Sequence, residues 1–183
     1  MSGLVINADD GTIHLPSGAS LSADLTQDAF RAASAFAGAN ERNYGTLPWI
    51  HHEFSGGQVD GHNLFVSVCF YDQLLVYTSI TVDLYPPGST DWSSYSLDTE
   101  TEIKNLHDGL LQKMFNSKPK KLRPVKMQDE KHAPLGRAIR WNFKWGSAGS
   151  YHDSKGGGTY IHVEYDNRKE KCERAYRLRH PFR

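Results

Sequence analysis

"NLFVSVCFYDQLLVYTSITVDLY", residues 63–85, decides the fold. Leu64, Val66, Val68 and Phe70 alternate with Phe65, Ser67, Cys69 and Tyr71. A period of two sends successive side chains to opposite faces of a strand, so the first set lines one buried face. After an Asp72-Gln73 turn, Val76, Thr78, Ile80, Val82 and Leu84 continue an alternating face. The stretch therefore predicts two long antiparallel strands joined by a tight turn.

The pattern recurs downstream. "RAIRWNFKW" turns Ile139, Trp141, Phe143 and Trp145 inward and Arg140, Asn142 and Lys144 outward, and "TYIHVEY" puts Ile161, Val163 and Tyr165 on one face. "DSKGGG" supplies the turn before that last strand. Near the start, "LVINADDGTIHLP" reads as a hairpin, because Asp10-Gly11 accepts the positive φ angles of a tight turn. Two helices complete the set. "LTQDAFRAASAFAG" has Thr26 as a cap, Phe30, Ala33 and Ala37 on one face, and Gly38 to end it. "TETEIKNLHDGLLQKMF" has Thr99 and Glu102 at capping-box spacing and buries Ile103, Leu106, Leu110 and Met114. Hairpins bracketing helices, without alternating βαβ units, predict an α+β protein. The expected architecture is one domain over residues 1–183, a mainly antiparallel sheet with two principal helices packed on it. Residues 116–136 read as a mobile polar connection. Residues 166–183 read as a flexible basic tail that could begin as a short helix.

The chain has 183 residues, enough for one sizeable core, and its aromatic content of 11% is generous. No apolar run approaches a membrane span, and "MSGLVINADDG" lacks the features of a secretory signal. Cys69 and Cys172 are too few for a disulfide framework. A cytoplasmic protein without membrane contact is expected. Net charge is zero but unevenly spread: residues 1–100 hold twelve acids and two bases, residues 101–183 nine acids and nineteen bases. Such asymmetry points to charged partners unless the two halves interleave and neutralise each other.

"HHEFSGGQVDGH", residues 51–62, is the densest collection of catalytic residue types. A metal-dependent hydrolase could use His51, Glu53 and His62 there. Adjacent strand residues point to opposite faces, however, so His51 and His52 do not readily share an ion. The expectation is a polar loop, a strand edge and Gly-rich hairpin leading into the long strand at His62, with no metal and no cofactor. "YHDSKGGGTY" is not a phosphate loop, since its glycines precede a strand and its Lys155 comes before them. No G-x-S-x-G elbow is present. Cys172 lies among bases that could lower its pKa, but no oxyanion partner accompanies it. "KPKKLRPVK" and the basic tail suit phosphate contact, yet no RRM, zinc-finger or KH signature accompanies them. A nucleic-acid-binding module using the basic half is thus a second alternative, and an enzyme is not expected.

The ending "WNFKWGSAGSYHDSKGGGTYIHVEY", together with the 65–85 hairpin and the "TEIKNLHDGLLQKMF" helix, resembles immunity proteins of bacterial polymorphic toxin systems, including type VI secretion and contact-dependent inhibition. The resemblance covers about residues 62–166 and carries no diagnostic motif. It implies a small cytoplasmic α+β protein, not an enzyme, that binds and blocks one cognate toxin. A toxin acting on nucleic acid tends to have a basic active cleft, which carboxylates can fill. The expected contacts are Asp91, Trp92, Tyr95, Asp98 and Glu100 around "STDWSSYSLDTE", aromatic anchors among charge. Asp98 and Glu100 also suit the first turn of the following helix.

Overall fold

The computed structural model describes residues 3–43, 48–85, 95–121, 129–166 and 168–179. In chain order the elements are β1 (Val5–Ile6), β2 (Ile13–His14), β3 (Ser20–Leu21), α1 (Gln27–Ala32), β4 (Asn40–Arg42), β5 (Trp49–Val59), β6 (His62–Tyr71) and β7 (Leu74–Asp83). Then come α2 (Leu97–Met114), β8 (Lys120–Lys121), β9 (Ile139–Phe143), β10 (Gly146–Asp153), β11 (Gly158–Tyr165) and α3 (Arg168–Arg179). They form an α+β single domain, as expected.

Eight strands build one antiparallel sheet in the order β4-β5-β6-β7-β11-β10-β9-β8. It consists of two meanders, each made of sequence neighbours, that meet at one seam. There Tyr77 to Ile80 of β7 pair with Ile161 to Glu164 of β11. The acidic and basic halves of the chain therefore supply separate blocks of this sheet, side by side, and their strands do not interleave.

The inner face carries Leu64, Val66, Val68, Ile80, Trp141, Ile161 and Val163, all buried. The small β1-β2-β3 sheet, α1 and α2 close over it, adding Ile6, Ile13, Leu21, Phe30, Leu111 and Phe115 to the same core. The first hairpin turns at Gly11, whose φ of +76° suits glycine. It docks against the second meander: Trp145 Nε1 donates to the Ala8 carbonyl at 2.9 Å and Tyr165 Oη to the Gly11 carbonyl at 3.2 Å.

Several local expectations are corrected. The first helix is short: Ala33 is extended, with ψ 126°, and a 3₁₀ turn follows at Ser34–Phe36. The break lets Phe36 stack on Phe30 at 4.3 Å, which a continuous helix would forbid because residues six apart point about 120° apart. Thr26 does cap α1. For α2 the cap is Ser96, which accepts from the Thr99 amide, so Thr99 lies inside the helix. Val76 leaves the face of Thr78 because a bulge beside Cys69 and Phe70 shifts the register, and Leu75 enters the main core instead.

Residues 51–62 are not a loop. His51 to Val59 belong to β5, an internal strand between β4 and β6, and the turn is confined to Asp60-Gly61. In the expected connection, Lys120–Lys121 pair with β9, Glu130–His132 form a 3₁₀ turn and Leu135 is buried. The basic tail is a helix over Arg168–Arg179. Cys172 and Tyr176 pack on Tyr71, Val76 and Trp49, and Arg168 donates to the Ala23 and Leu75 carbonyls at 2.7 and 2.8 Å.

Candidate functional site

The strand pleat that buries the inner face must send the alternate residues outward. α3 covers only the end of that outer face near Tyr71 and Val76. Among the described residues the rest carries a row of half-buried aromatic side chains running across the strands, with no other described element packed on it. His51 on β5 lies edge-on to Tyr77 on β7 at 5.9 Å, and Tyr77 lies 4.8 Å from His162 on β11. Tyr151 on β10 stands 5.8 Å from His162 and 6.2 Å from Tyr160. Lys169 from α3 reaches over the Tyr77 ring at 5.6 Å.

Burial first, then the nearby Lys169 and Arg140 charges, push His162 down to about 4. Burial likewise lowers His51, although Glu53 opposes it. These imidazoles are therefore neutral at physiological pH, and the row behaves as aromatic surface. Two arginines on this face lie beside carboxylates. Arg140 lies 3.6 Å from Glu164, and Arg42 lies 3.4 Å from Glu53.

At one end of the open face the two meanders separate. Pairing stops at Ile80 and Ile161, so the next inner-face amide of β7 cannot reach β11. The Val82 N–H donates instead to His107 Nε2 on α2 at 3.1 Å. Burial, then the Lys104 charge, push the His107 imidazole down to about 3, against the pull of Glu100. It stays neutral, as an acceptor must. The gap is a cavity of about 230 Å³ lined by Phe65, Thr81, Asp83, Glu100, Thr159 and Tyr160, with the Gly156 to Gly158 turn at its edge.

Glu100 is 3% exposed. Its Oε1 accepts from Tyr85 Oη at 2.7 Å. Its Oε2 has no hydrogen-bond partner among the described residues, and His152 Nδ1 stands 3.7 Å away. Burial would raise this carboxyl. Polar contacts from His152, Thr159 and Tyr85 outweigh it and hold the group below the usual carboxylate range.

The sequence-predicted residues fare unevenly. Asp91 and Trp92 lie outside the described residues. Tyr95 sits beside the cavity, its Oη 3.5 Å from His152 Nε2. Asp98 is exposed and engaged by Lys131 at 2.7 Å and His132 at 2.8 Å. Glu100, unlike Asp98 two residues before it, is buried and lines the cavity instead of the surface. His51 and Glu53 share the outer face, with His51 near Tyr77 and Glu53 beside Arg42. His62 begins β6, five residues along that strand from the Ser67 partner of Glu53, about 16 Å by strand rise. The structure does not bring the three together, and no group of three or more metal-ligating side chains gathers among the described residues. Cys172 is also corrected: burial raises its thiol despite Arg168, so it is not an activated nucleophile. Tyr77, Tyr151, Tyr160 and His162 were missed. The signal was available in "TYIHVEY", whose outward positions hold Tyr160 and His162, where threonines or lysines are usual on a solvated face.

Fold and site define a class: an α+β protein whose antiparallel sheet is covered on one face and offers an aromatic surface on the other. No family model and no curated protein matches the sequence. Among solved structures, a chain from the complex of Rhs1-CT with its cognate immunity protein RhsI1 is similar, with a TM-score of 0.47 and 11% identity over 94% of this chain and 98% of that one. No helix among the described residues is long and apolar enough to cross a membrane.

Proposed function

We propose that this chain is a non-enzymatic binding protein of the immunity type, which holds and neutralises one cognate bacterial toxin in the cytoplasm. The observation that carries this reading is the open aromatic face. Its side chains are half-buried and fixed on central strands, so docking a partner orders little that is not already ordered. Aromatic groups are enriched at the centres of protein interfaces. The acidic wall of the cavity at that end, Asp83 and the buried Glu100, supports a partner that brings positive charge to it. The start of α2 beside it would contribute Tyr95, Asp98 and the preceding Asp91 and Trp92. A nucleic-acid strand fits this face less well. Its phosphates would have to displace Glu164 from Arg140 and Glu53 from Arg42.

The test is protection and binding. The product of the gene immediately upstream, expressed in a bacterial host, should arrest growth, and this chain should restore it. Tyr151→Ala should weaken complex formation about tenfold or more while leaving the melting temperature nearly unchanged. If the chain does not protect, the immunity reading falls. If Tyr151→Ala and His51→Ala both bind like wild type, the interface is not on the open face.

A further inference from the structure

We infer that the cavity between β7 and β11 is a receptor for a guanidinium group, the side chain of an arginine presented by a protein partner. The protein-binding reading above supplies the source of that arginine, but the chemistry of the cavity stands on its own geometry.

Two features define the ligand. The first is the pair of carboxylates on the wall, Glu100 and Asp83. Glu100 is almost wholly buried and leaves Oε2 without a hydrogen bond among the described residues. The neighbour of that oxygen is His152 Nδ1 at 3.7 Å, too far for a hydrogen bond, so a charge-assisted donor entering the cavity would supply the bond it lacks. Asp83 has one oxygen committed to the Tyr85 amide at 3.1 Å.

The second feature is aromatic. Phe65 pairs with Thr81 across β6 and β7, and Tyr160 of β11 lines the same cavity beyond the point where β7 and β11 part. Two rings therefore line the cavity, and Phe65 is 52% exposed. A slot of that form accepts a flat, weakly hydrated cation against its walls. An ammonium could reach the carboxylates but would gain less from the rings. A cavity of about 230 Å³ has room for the guanidinium and part of its stem.

N-acetyl-arginine methylamide is the probe, titrated into the full chain and followed by amide NMR shifts, with the neutral citrulline analogue and the lysine analogue as controls. Saturable shifts at Gly157, Gly158 and Thr159 are expected. The citrulline analogue should bind about tenfold more weakly or worse. Glu100→Gln should reduce arginine binding by a similar factor. If Glu100→Gln does not fold, Phe65→Ala touches only a half-exposed ring and should still lower affinity several-fold. Equal binding of the arginine and citrulline analogues, or shifts confined to other residues, would overturn the inference. Because the probe needs no partner, the two readings separate. Arginine binding without toxin protection leaves the cavity assignment standing and removes the immunity function. Toxin binding unchanged in Glu100→Gln, with no probe response, removes the cavity assignment alone.

Discussion

His107 allows a sharp test of how the sheet tolerates its own opening. Its Nε2 accepts the Val82 N–H that β11 cannot reach, and burial pushes the imidazole from an ordinary 6.5 down to about 3. The unfolded chain binds a proton near pH 6.5, whereas the folded chain resists it until near pH 3. Stability is therefore fully present above about pH 6.5 and lost as pH falls toward 3. Each unit in that window costs about 1.4 kcal/mol, so between pH 7.5 and 5 this group alone should remove about 2 kcal/mol. That is a large share of the 5–15 kcal/mol typical of a domain. The comparison is urea unfolding of wild type and His107→Gln at both pH values. Glutamine keeps an acceptor where Nε2 stood but does not titrate. The other histidines act equally in both proteins and cancel. His107→Gln should lose about 2 kcal/mol less than wild type on acidification. His107→Leu should instead be weaker at both pH values by about 1–3 kcal/mol, the cost of an unpaired buried amide. Equal pH dependence in wild type and His107→Gln would refute the argument.

Other perturbations have definite outcomes. Gly11→Ala places a Cβ 2.6 Å from the Trp145 ring at a φ of +76°, so calorimetry should show a loss of about 1–3 kcal/mol. Arg168→Ala strips the Ala23 and Leu75 carbonyls of a shared cationic donor, and limited proteolysis should then cut within residues 168–179 faster than in wild type. Trp141→Ala removes a buried ring and its 2.7 Å bond to the Ser117 carbonyl, and should cost about 3–5 kcal/mol in chemical unfolding.

The strands that sequence alone revealed are those with one buried and one open face: β6, β7, β9 and β11 alternate because the sheet is wet on one side. β5 hid because its inner face holds His52 and Gly56. The imidazole packs on Phe30, and a Cβ at Gly56 would meet Val66 at 2.8 Å. β10 hid behind small residues. A Cβ at Gly149 would fall 2.5 Å from the Ile139 carbonyl, so close approach of β9 replaces the usual apolar pattern. The tail conceals a helix because, among its described residues, the apolar packing falls to Cys172 and Tyr176 and the remaining anchors are the charged Arg168 and Lys169. The cavity was not legible at all. Glu100 reads as an ordinary first-turn acid, and its burial depends on where β7 and β11 part, a tertiary event with no local signature.

The seam also governs how the chain reaches its fold. Within each meander, pairing joins strands that follow one another along the chain, but Ile80 must find Ile161. Closing a loop of about 80 residues costs roughly 2–3 kcal/mol more entropy than closing a hairpin, and only four residue pairs repay it directly. The meanders should therefore form early and join late. Until they join, β7 and β11 each expose a bare edge rich in β-branched residues, whereas the finished sheet ends in the short polar strands β4 and β8. Refolding at high protein concentration should thus produce misassembled dimers, formed when β7 of one molecule captures β11 of another.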